Sequence, residues 1–375
     1  MNEKIEHFMK NNLTIDSLSH GPLIWSKDLI SKNNELIEKG INPWNIIPQL
    51  VLMFAKKVVN DKDYFEDYKI AWNESMVDCV SWTLGPLYSK PYSFEGVFHN
   101  FSFMTYMVDN RPEFFVKVLK ADDILKASKE NKKAIILNFQ SMEHIGNNLD
   151  YIELYYMQGF RIMQLTYNTK NLVGTGCTAK RDRGLTDFGK QVIKKMNELG
   201  ILIDISHCGI QTTTDTIQYS KKPVVATHTF SKGLYLHDRG KPDEILKALR
   251  DKGGYVGILA VPGFLVDKSE TTINDWLDHI DYVINLIGID YVGIGTDFYG
   301  FSVPDNLAEK IGEFMDLLGF RPEHKASFLT KIKNFENYSK FPNLIKGLFS
   351  RGYTENEVKK IAGGNFLRVF KEVVG

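Results

Sequence analysis

Three cysteines, Cys79, Cys177 and Cys208, are all that a chain of 375 residues contains. So sparse and odd a set builds no disulfide framework, and no CxxC or zinc-knuckle spacing occurs. A reducing compartment, the cytoplasm, fits this usage. Charge of one sign is also missing: 46 Lys and Arg balance 46 Asp and Glu. That removes the basic footprint of a nucleic-acid binder. Long hydrophobic runs are missing too. The most apolar stretch, "NIIPQLVLMFAKKVV" at 45–59, is interrupted by Pro48, Lys56 and Lys57. It is too short to span a bilayer and predicts a buried helix. The opening "MNEKIEHFMKNN" is charged and has no apolar core of signal-peptide length. Low-complexity segments, short repeats and linkers are absent, so residues 1–375 read as one domain with no membrane association.

What is present is an alternation of strand and helix patterns. Short apolar, β-rich runs fall at 13–18, 77–84, 134–140, 160–168, 201–208, 223–229, 254–261 and 290–297. Nearly continuous apolar runs are how strands buried on both faces read. Helical patterns lie between most of them. In "GLTDFGKQVIKKMNELG", Thr186 can cap the start. Phe188, Val192, Met196 and Leu199 share a face, and Gly200 stands where a helix terminator belongs. Eight strands alternating with helices predict a (β/α)8 barrel of the TIM type; a doubly wound open sheet is the second choice. Helical insertions are expected after the first strand (about 22–73) and after the eighth (about 300–345).

A barrel of this kind forms its active site at the carboxyl ends of the strands. The first predicted strand runs into His20 in "TIDSLSHGP", and the third ends at Gln140 in "NFQ". The fourth ends at Tyr167 and Asn168 in "LTYN", where a substrate would lie. The fifth ends at His207 in "ISHC", the sixth at His228 in "ATHT" and the eighth at Asp297 in "GTDF". His207 and His228 are one strand–helix unit apart, so neighbouring strands would place them about 5 Å apart at the backbone. Two imidazoles and a carboxylate on one pocket make the ligand set of a hydrolytic zinc site. Asp297, beside a reacting water, could take its proton and pass it to a leaving amine. Other features read as structural. Trp25, Trp44 and Trp82 suit core packing, the basic loop 177–184 suits solvent, and Cys208 should point away from the side that His207 faces.

With these residues in view, "GLTDFGKQVIKKMNELGILIDISHCG", "SKKPVVATHTFSKGLYLHDRG" and "HIDYVINLIGIDYVGIGTDFYG" resemble the membrane (renal) dipeptidase family of metal-dependent amidohydrolases. The closing "EVKKIAGGNFLRVFKEV" is similar as well. The resemblance implies a (β/α)8 barrel that hydrolyses dipeptides, with two zinc ions bridged by a glutamate in well-studied members, and commonly a homodimer. It implies that His207 and His228 hold one zinc and that Asp297 holds the other and handles the proton. It also implies that Arg239, in "HDRG", grips the substrate carboxylate, a task suited to a forked guanidinium.

Three positions depart from the family pattern. Where the first strand of relatives carries Asp-Gly-His-x-Asp, this chain has Asp-Ser-Leu-Ser-His from Asp16. Leu18 thus replaces a ligand histidine, and His20 takes the slot of a ligand aspartate. Gln140 stands where the bridging glutamate belongs, and a neutral amide brings no charge and one oxygen. Tyr167 replaces a histidine that approaches the substrate. Glu143 and His144 follow Gln140 but fall in the loop, where Glu143 suits a helix start. With fewer carboxylates, two adjacent dications would be uncompensated. One zinc near His207 and His228, with Gln140 and His20 as further candidate ligands, is therefore expected rather than two. The expected function is a metal-dependent hydrolase of dipeptides or a related small amide with a free carboxylate. The alternatives are non-hydrolytic tailoring of a peptide-like substrate on the same barrel, or an inactive ligand-binding homologue.

Overall fold

The computed structural model describes residues 3–84, 94–298 and 303–375. Each of the eight apolar runs contains a strand: β1 (Ile15–Ser19), β2 (Cys79–Leu84), β4 (Lys133–Phe139), β5 (Phe160–Gln164), β6 (Leu202–Asp204), β7 (Val224–Thr229), β8 (Tyr255–Ile258) and β9 (Val292–Ile294). They pair in parallel in the order β1-β2-β4-β5-β6-β7-β8-β9. A bridge between Ser19 and Phe298 brings the two ends together. The architecture is a nearly closed (β/α)8 barrel, as the alternation predicted. A ninth strand, β3 (Phe115–Lys117), pairs with β4 outside this circuit. The sequence pattern did not reveal it, because three residues are too few to carry a period.

β4, β5, β6, β8 and β9 stop short of the carboxyl ends of their apolar runs. Residues 165–168 and 205–208 leave the sheet and turn over the barrel mouth, where their backbone groups bond to loops: Cys177 N–H donates to the His207 carbonyl at 2.7 Å. The opposite end is plugged. The last helix, Asn365–Val374, drives Phe366, Val369 and Phe370 against Ile15, Cys79, Ile162, Leu202 and Tyr255. Halfway up, Ser17 Oγ lies 2.7 Å from the Thr227 carbonyl and 2.8 Å from that of Ile294. A Cβ on Gly295 would come within 1.8 Å of the same Thr227 oxygen. Small residues here let β1, β7 and β9 approach closely.

The insertion after β1 consists of helices Lys27–Glu38, Pro43–Asn60 and Lys62–Ser75. The helix expected at 45–59 is the middle one, buried through Trp44, Ile46, Leu50, Phe54, Ala55 and Val58. Its Phe54 packs edge-on against Tyr68 at 5.4 Å. Trp82 is also buried, and Trp25 packs partly against the same core. The helix read from "GLTDFGKQVIKKMNELG" spans Asp187–Leu199, with Thr186 accepting from Gly189 N–H and Gly200 left-handed at its end. The insertion after β9 begins in part outside the described residues. From Pro304 it holds a helix at Asp305–Gly312 and then short 3-10 turns. Among the described residues no helix is long and apolar enough to cross a membrane.

The closed end carries a pH liability. Asp78, just ahead of β2, accepts from Thr14 N–H at 2.9 Å, and burial raises its carboxyl to about 6 from an ordinary 3.8. Between pH 4 and 6 the folded chain keeps this proton while the unfolded chain releases it, so stability falls as pH rises. Asp78→Asn is expected to remove about 2–3 kcal/mol of that loss. Urea unfolding of both proteins at pH 4 and pH 7 measures it, and parallel pH profiles would refute the assignment.

Candidate metal centre

Two loops and the end of β7 at the barrel mouth bring His207, His228 and Asp297 together. Among the described residues these three form a cluster whose ligand atoms all lie within 4.8 Å of one another. His207 sits in the turn after β6, His228 is the fifth residue of β7, and Asp297 follows β9. The imidazole centroids are 4.9 Å apart. Asp297 adopts a φ of +56°, in the left-handed region that Asp tolerates better than most residues. Its backbone N–H is tied to the Leu18 carbonyl at 2.9 Å.

Both imidazoles are fixed from behind. His207 Nδ1 lies 2.7 Å from Asn168 Oδ1, while Asn168 Nδ2 donates to the Leu318 carbonyl at 2.9 Å. That second bond orients the amide, so Nδ1 of His207 carries the proton and Nε2 keeps its lone pair. His207 Nε2 is buried and has no partner. His228 Nδ1 lies 2.9 Å from Thr227 Oγ1, and that hydroxyl donates to Asp204 Oδ2 at 2.6 Å. The Thr227 oxygen therefore accepts from His228, whose Nε2 also keeps its lone pair and faces Gln140 Nε2 at 3.3 Å. Burial, with the Arg239 charge adding to it, holds both imidazoles well below their ordinary pKa, hence neutral. Burial also raises Asp297 to about 7, against the pull of Arg239 and of a Gln140 hydrogen bond. Neutral imidazoles with open Nε2 atoms, one of them an orphan, beside a carboxyl group fit a cation.

The aspartate chain behind His228 has a counterpart. Asp204 accepts from Thr227 N–H at 3.1 Å and Thr227 Oγ1 at 2.6 Å. Asp16 accepts from Thr296 N–H at 2.9 Å and Thr296 Oγ1 at 2.6 Å. Each threonine immediately precedes a cluster residue, His228 or Asp297. A buried carboxylate on one strand thus clamps the residue before a ligand on a neighbouring strand, twice. Tyr338 Oη adds a bond to Asp16 at 3.0 Å, and burial raises Asp16 to about 7. Asp204 escaped the sequence reading and Asp16 served there only to anchor an alignment. The shared Thr-His and Thr-Asp pairs at two strand ends were the available signal.

The remaining site candidates fall around this cluster. Gln140 lies between His228 and Asp297. His20 is buried within electrostatic reach of His228, and burial pushes its pKa down to about 3, leaving it neutral. Tyr167 stacks on His207 at 4.1 Å and 24°, and lines the cleft together with Gln140 and Asp297. Arg239 is fully enclosed. Its Nη1 and Nη2 donate to the Ser206 and His228 carbonyls at 2.7 and 3.2 Å, and its Nε has no partner. Asn168, expected among the substrate contacts, is also fully buried, with both ends of its amide committed to His207 and Leu318. It lies behind His207 and is absent from the described lining of the cleft. Glu143 opens a 3-10 turn and stands outside the cluster, and His144 packs edge-on against Phe139 at 4.5 Å. Cys208 Sγ accepts from Thr166 at 3.4 Å and takes no part in the cluster.

Asn168→Ala is expected to weaken zinc binding about 10- to 100-fold by freeing His207 Nδ1. Competition against a chelating dye reads this directly; an unchanged affinity would show that the bond does not orient the ring.

Fold and site together define a class: a (β/α)8 barrel with a His–His–Asp cluster at its carboxyl mouth that could hold a cation, the arrangement of metal-dependent amidohydrolases. The chain belongs to the membrane dipeptidase family (peptidase family M19), whose model matches residues 72–319 and 326–374. An amidohydrolase from Pseudomonas aeruginosa superposes with a TM-score of 0.77 over 99% of both chains at 28% identity. A metallo peptidase from Rhodobacter sphaeroides, liganded with a phosphinate mimic of the dipeptide L-Ala-D-Ala, shares the fold with a TM-score of 0.72. It covers 96% of this chain and 99% of its own at 17% identity. The dipeptidase tcpJ of Claviceps purpurea is 27% identical over 257 residues, 68% of this chain. The match spans 54% of that protein, about half its length.

Proposed function

We propose that this protein is a zinc-dependent hydrolase of dipeptides or closely related small amides that carry a free carboxylate. The observation that carries the reading is the convergence of two neutral imidazoles and the Asp297 carboxyl group within 4.8 Å, with His207 Nε2 buried and unpartnered. Family membership and the dipeptide mimic held by the Rhodobacter sphaeroides relative support it. His207 and His228 would hold the ion through Nε2, with Asp297 beside them and Gln140 or His20 as further ligands. A bound zinc supplies a Lewis acid that polarises an amide carbonyl and acidifies water.

The chain's own groups do the rest. The Asp297 carboxylate takes the proton of the attacking water and delivers it to the departing amine nitrogen. Arg239, with Nε open, supplies a fixed positive charge for the substrate carboxylate, its other nitrogens being anchored on the backbone. Tyr167, kept as a neutral phenol by burial, offers a hydroxyl in the cleft beside Asp297. One ion is the expected load. Leu18 offers no donor atom, and Gln140 brings no charge to balance a second dication. A cytoplasmic location and a homodimer complete the proposal.

Elemental analysis of protein purified without chelator tests it, together with turnover of a dipeptide panel. About one zinc per chain and hydrolysis that chelator abolishes and zinc restores are expected. Two ions per chain would overturn the one-metal part. Negligible metal with no turnover in added Zn²⁺, Co²⁺ or Mn²⁺ would overturn the whole.

A further inference from the structure

Beyond the cluster the cleft opens along a wall whose chemistry bears on the substrate. Its interior leaves about 100 Å³ to the centres of water-sized molecules. Gln140, Tyr167 and Asp297 form its polar end. From there the lining is mostly apolar: Phe264 from the short helix after β8, Phe298 after β9, and Met315, Phe320, Phe328 and Ile332 from the last insertion, with Ser327 and Thr330 among them. The rings are continuous with the site. Phe320 meets Tyr167 edge-on at 6.4 Å and Phe264 at 5.7 Å. Among the described lining residues the charges besides Asp297 are Lys331 and Glu336, both in the same loop as Phe328 and Ile332.

The wall is also held in place. Asn168 bonds the Leu318 carbonyl, and Arg321 bonds the Thr178 carbonyl at 2.7 Å and Asp238 at 3.0 Å. His324 Nε2 donates to Asp238 at 3.1 Å, and His237 Nε2 donates to the His324 carbonyl at 2.9 Å. A surface built of side chains on a pinned loop is a preformed pocket rather than a loose flap.

We infer that the wall receives a bulky apolar side chain of the substrate, aromatic or branched aliphatic, on one of the two residues flanking the scissile bond. This rests on the hydrolase reading above and sharpens it. A group attached next to a bond reacting at Asp297 has this surface as its neighbour. Burying apolar area against it favours such substrates, whereas a charged or small side chain leaves the rings against water or strands a charge.

The test is a panel of dipeptides bearing Phe, Leu or Met against Gly, Ser or Asp at each position, with zinc-loaded protein. At one position kcat/KM is expected to be at least about 30-fold higher for the apolar members. Phe328→Lys and Met315→Lys, both at half-buried positions, are expected to reduce that ratio below about 3-fold with zinc content unchanged. Rates equal within about 3-fold at both positions, or a preference for Asp, would overturn the inference while leaving the hydrolase reading intact. If no member is hydrolysed, the hydrolase reading fails. Thermal stabilisation by the same dipeptides then decides the inference: Phe and Leu members must stabilise more than Gly and Ser members, and the reverse order overturns it.

Discussion

His228→Ala is expected to lower bound zinc from about one ion per chain to below about 0.1 and to lower dipeptide hydrolysis by roughly 10³-fold or more. The substitution removes one of the two imidazole donors of the His207–His228–Asp297 cluster, and a neutral amide such as Gln140 is a poor replacement. Gln140 also loses the ring it faces at 3.3 Å. The control is His144→Ala, which removes an equally enclosed histidine packed between Phe139 and Tyr155, at 4.5 and 5.0 Å, outside the cluster. It is expected to cost stability and leave zinc unchanged. Elemental analysis and a dipeptide assay on both variants separate the two roles. Full zinc occupancy in His228→Ala would remove the cluster from consideration as the metal centre.

Asp204→Ala is expected to be among the most damaging single changes for folding. The carboxylate accepts from Ser206 N–H, Ser206 Oγ, Thr227 N–H and Thr227 Oγ1 at 2.6 to 3.1 Å, all in the interior. Alanine leaves these donors without acceptors and without water, a loss of about 3–5 kcal/mol. Zinc affinity should fall as well, because Thr227 would no longer have a fixed direction in which to receive the His228 Nδ1 proton. Asp204→Asn keeps one acceptor oxygen and should recover part of both losses. Urea unfolding and dye competition measure them. A stability loss under about 1 kcal/mol would show that the buried carboxylate carries no structural weight.

Much of this was legible in the chain and some was not, for reasons that differ by residue. The eight barrel strands stood out because parallel strands covered by helices are apolar on both faces, which leaves runs such as "AIILNF". His207, His228 and Asp297 were legible once those strands were placed, since barrel chemistry collects where strands end. For Asn168 the sequence showed a strand end but not that β5 stops at Gln164 or that the amide lies against His207 and Leu318. The clamps showed only as the Thr-His and Thr-Asp pairs, because their aspartate partners lie 23 and 280 residues away in sequence. A buried aspartate inside an apolar run reads as an interruption until its donors are seen. The apolar wall of the cleft comes from 3-10 turns and irregular loop, which carry no periodicity to read.

The two clamps have a consequence for how this barrel can change. Asp16 and Asp204 set the backbone ahead of Asp297 and His228 from the rear, through donors that never reach the cleft. The frame that aims the reactive groups is therefore independent of what stands in front of it. Residues on the open side, such as Gln140 and Tyr167, can be exchanged one at a time without the frame collapsing. A scaffold divided in this way can lose a metal ligand, or accept a new substrate-facing group, with its rear frame intact. Substitutions at the rear carry the opposite risk, and a library intended to alter this protein should vary the cleft and leave the two aspartate–threonine pairs untouched.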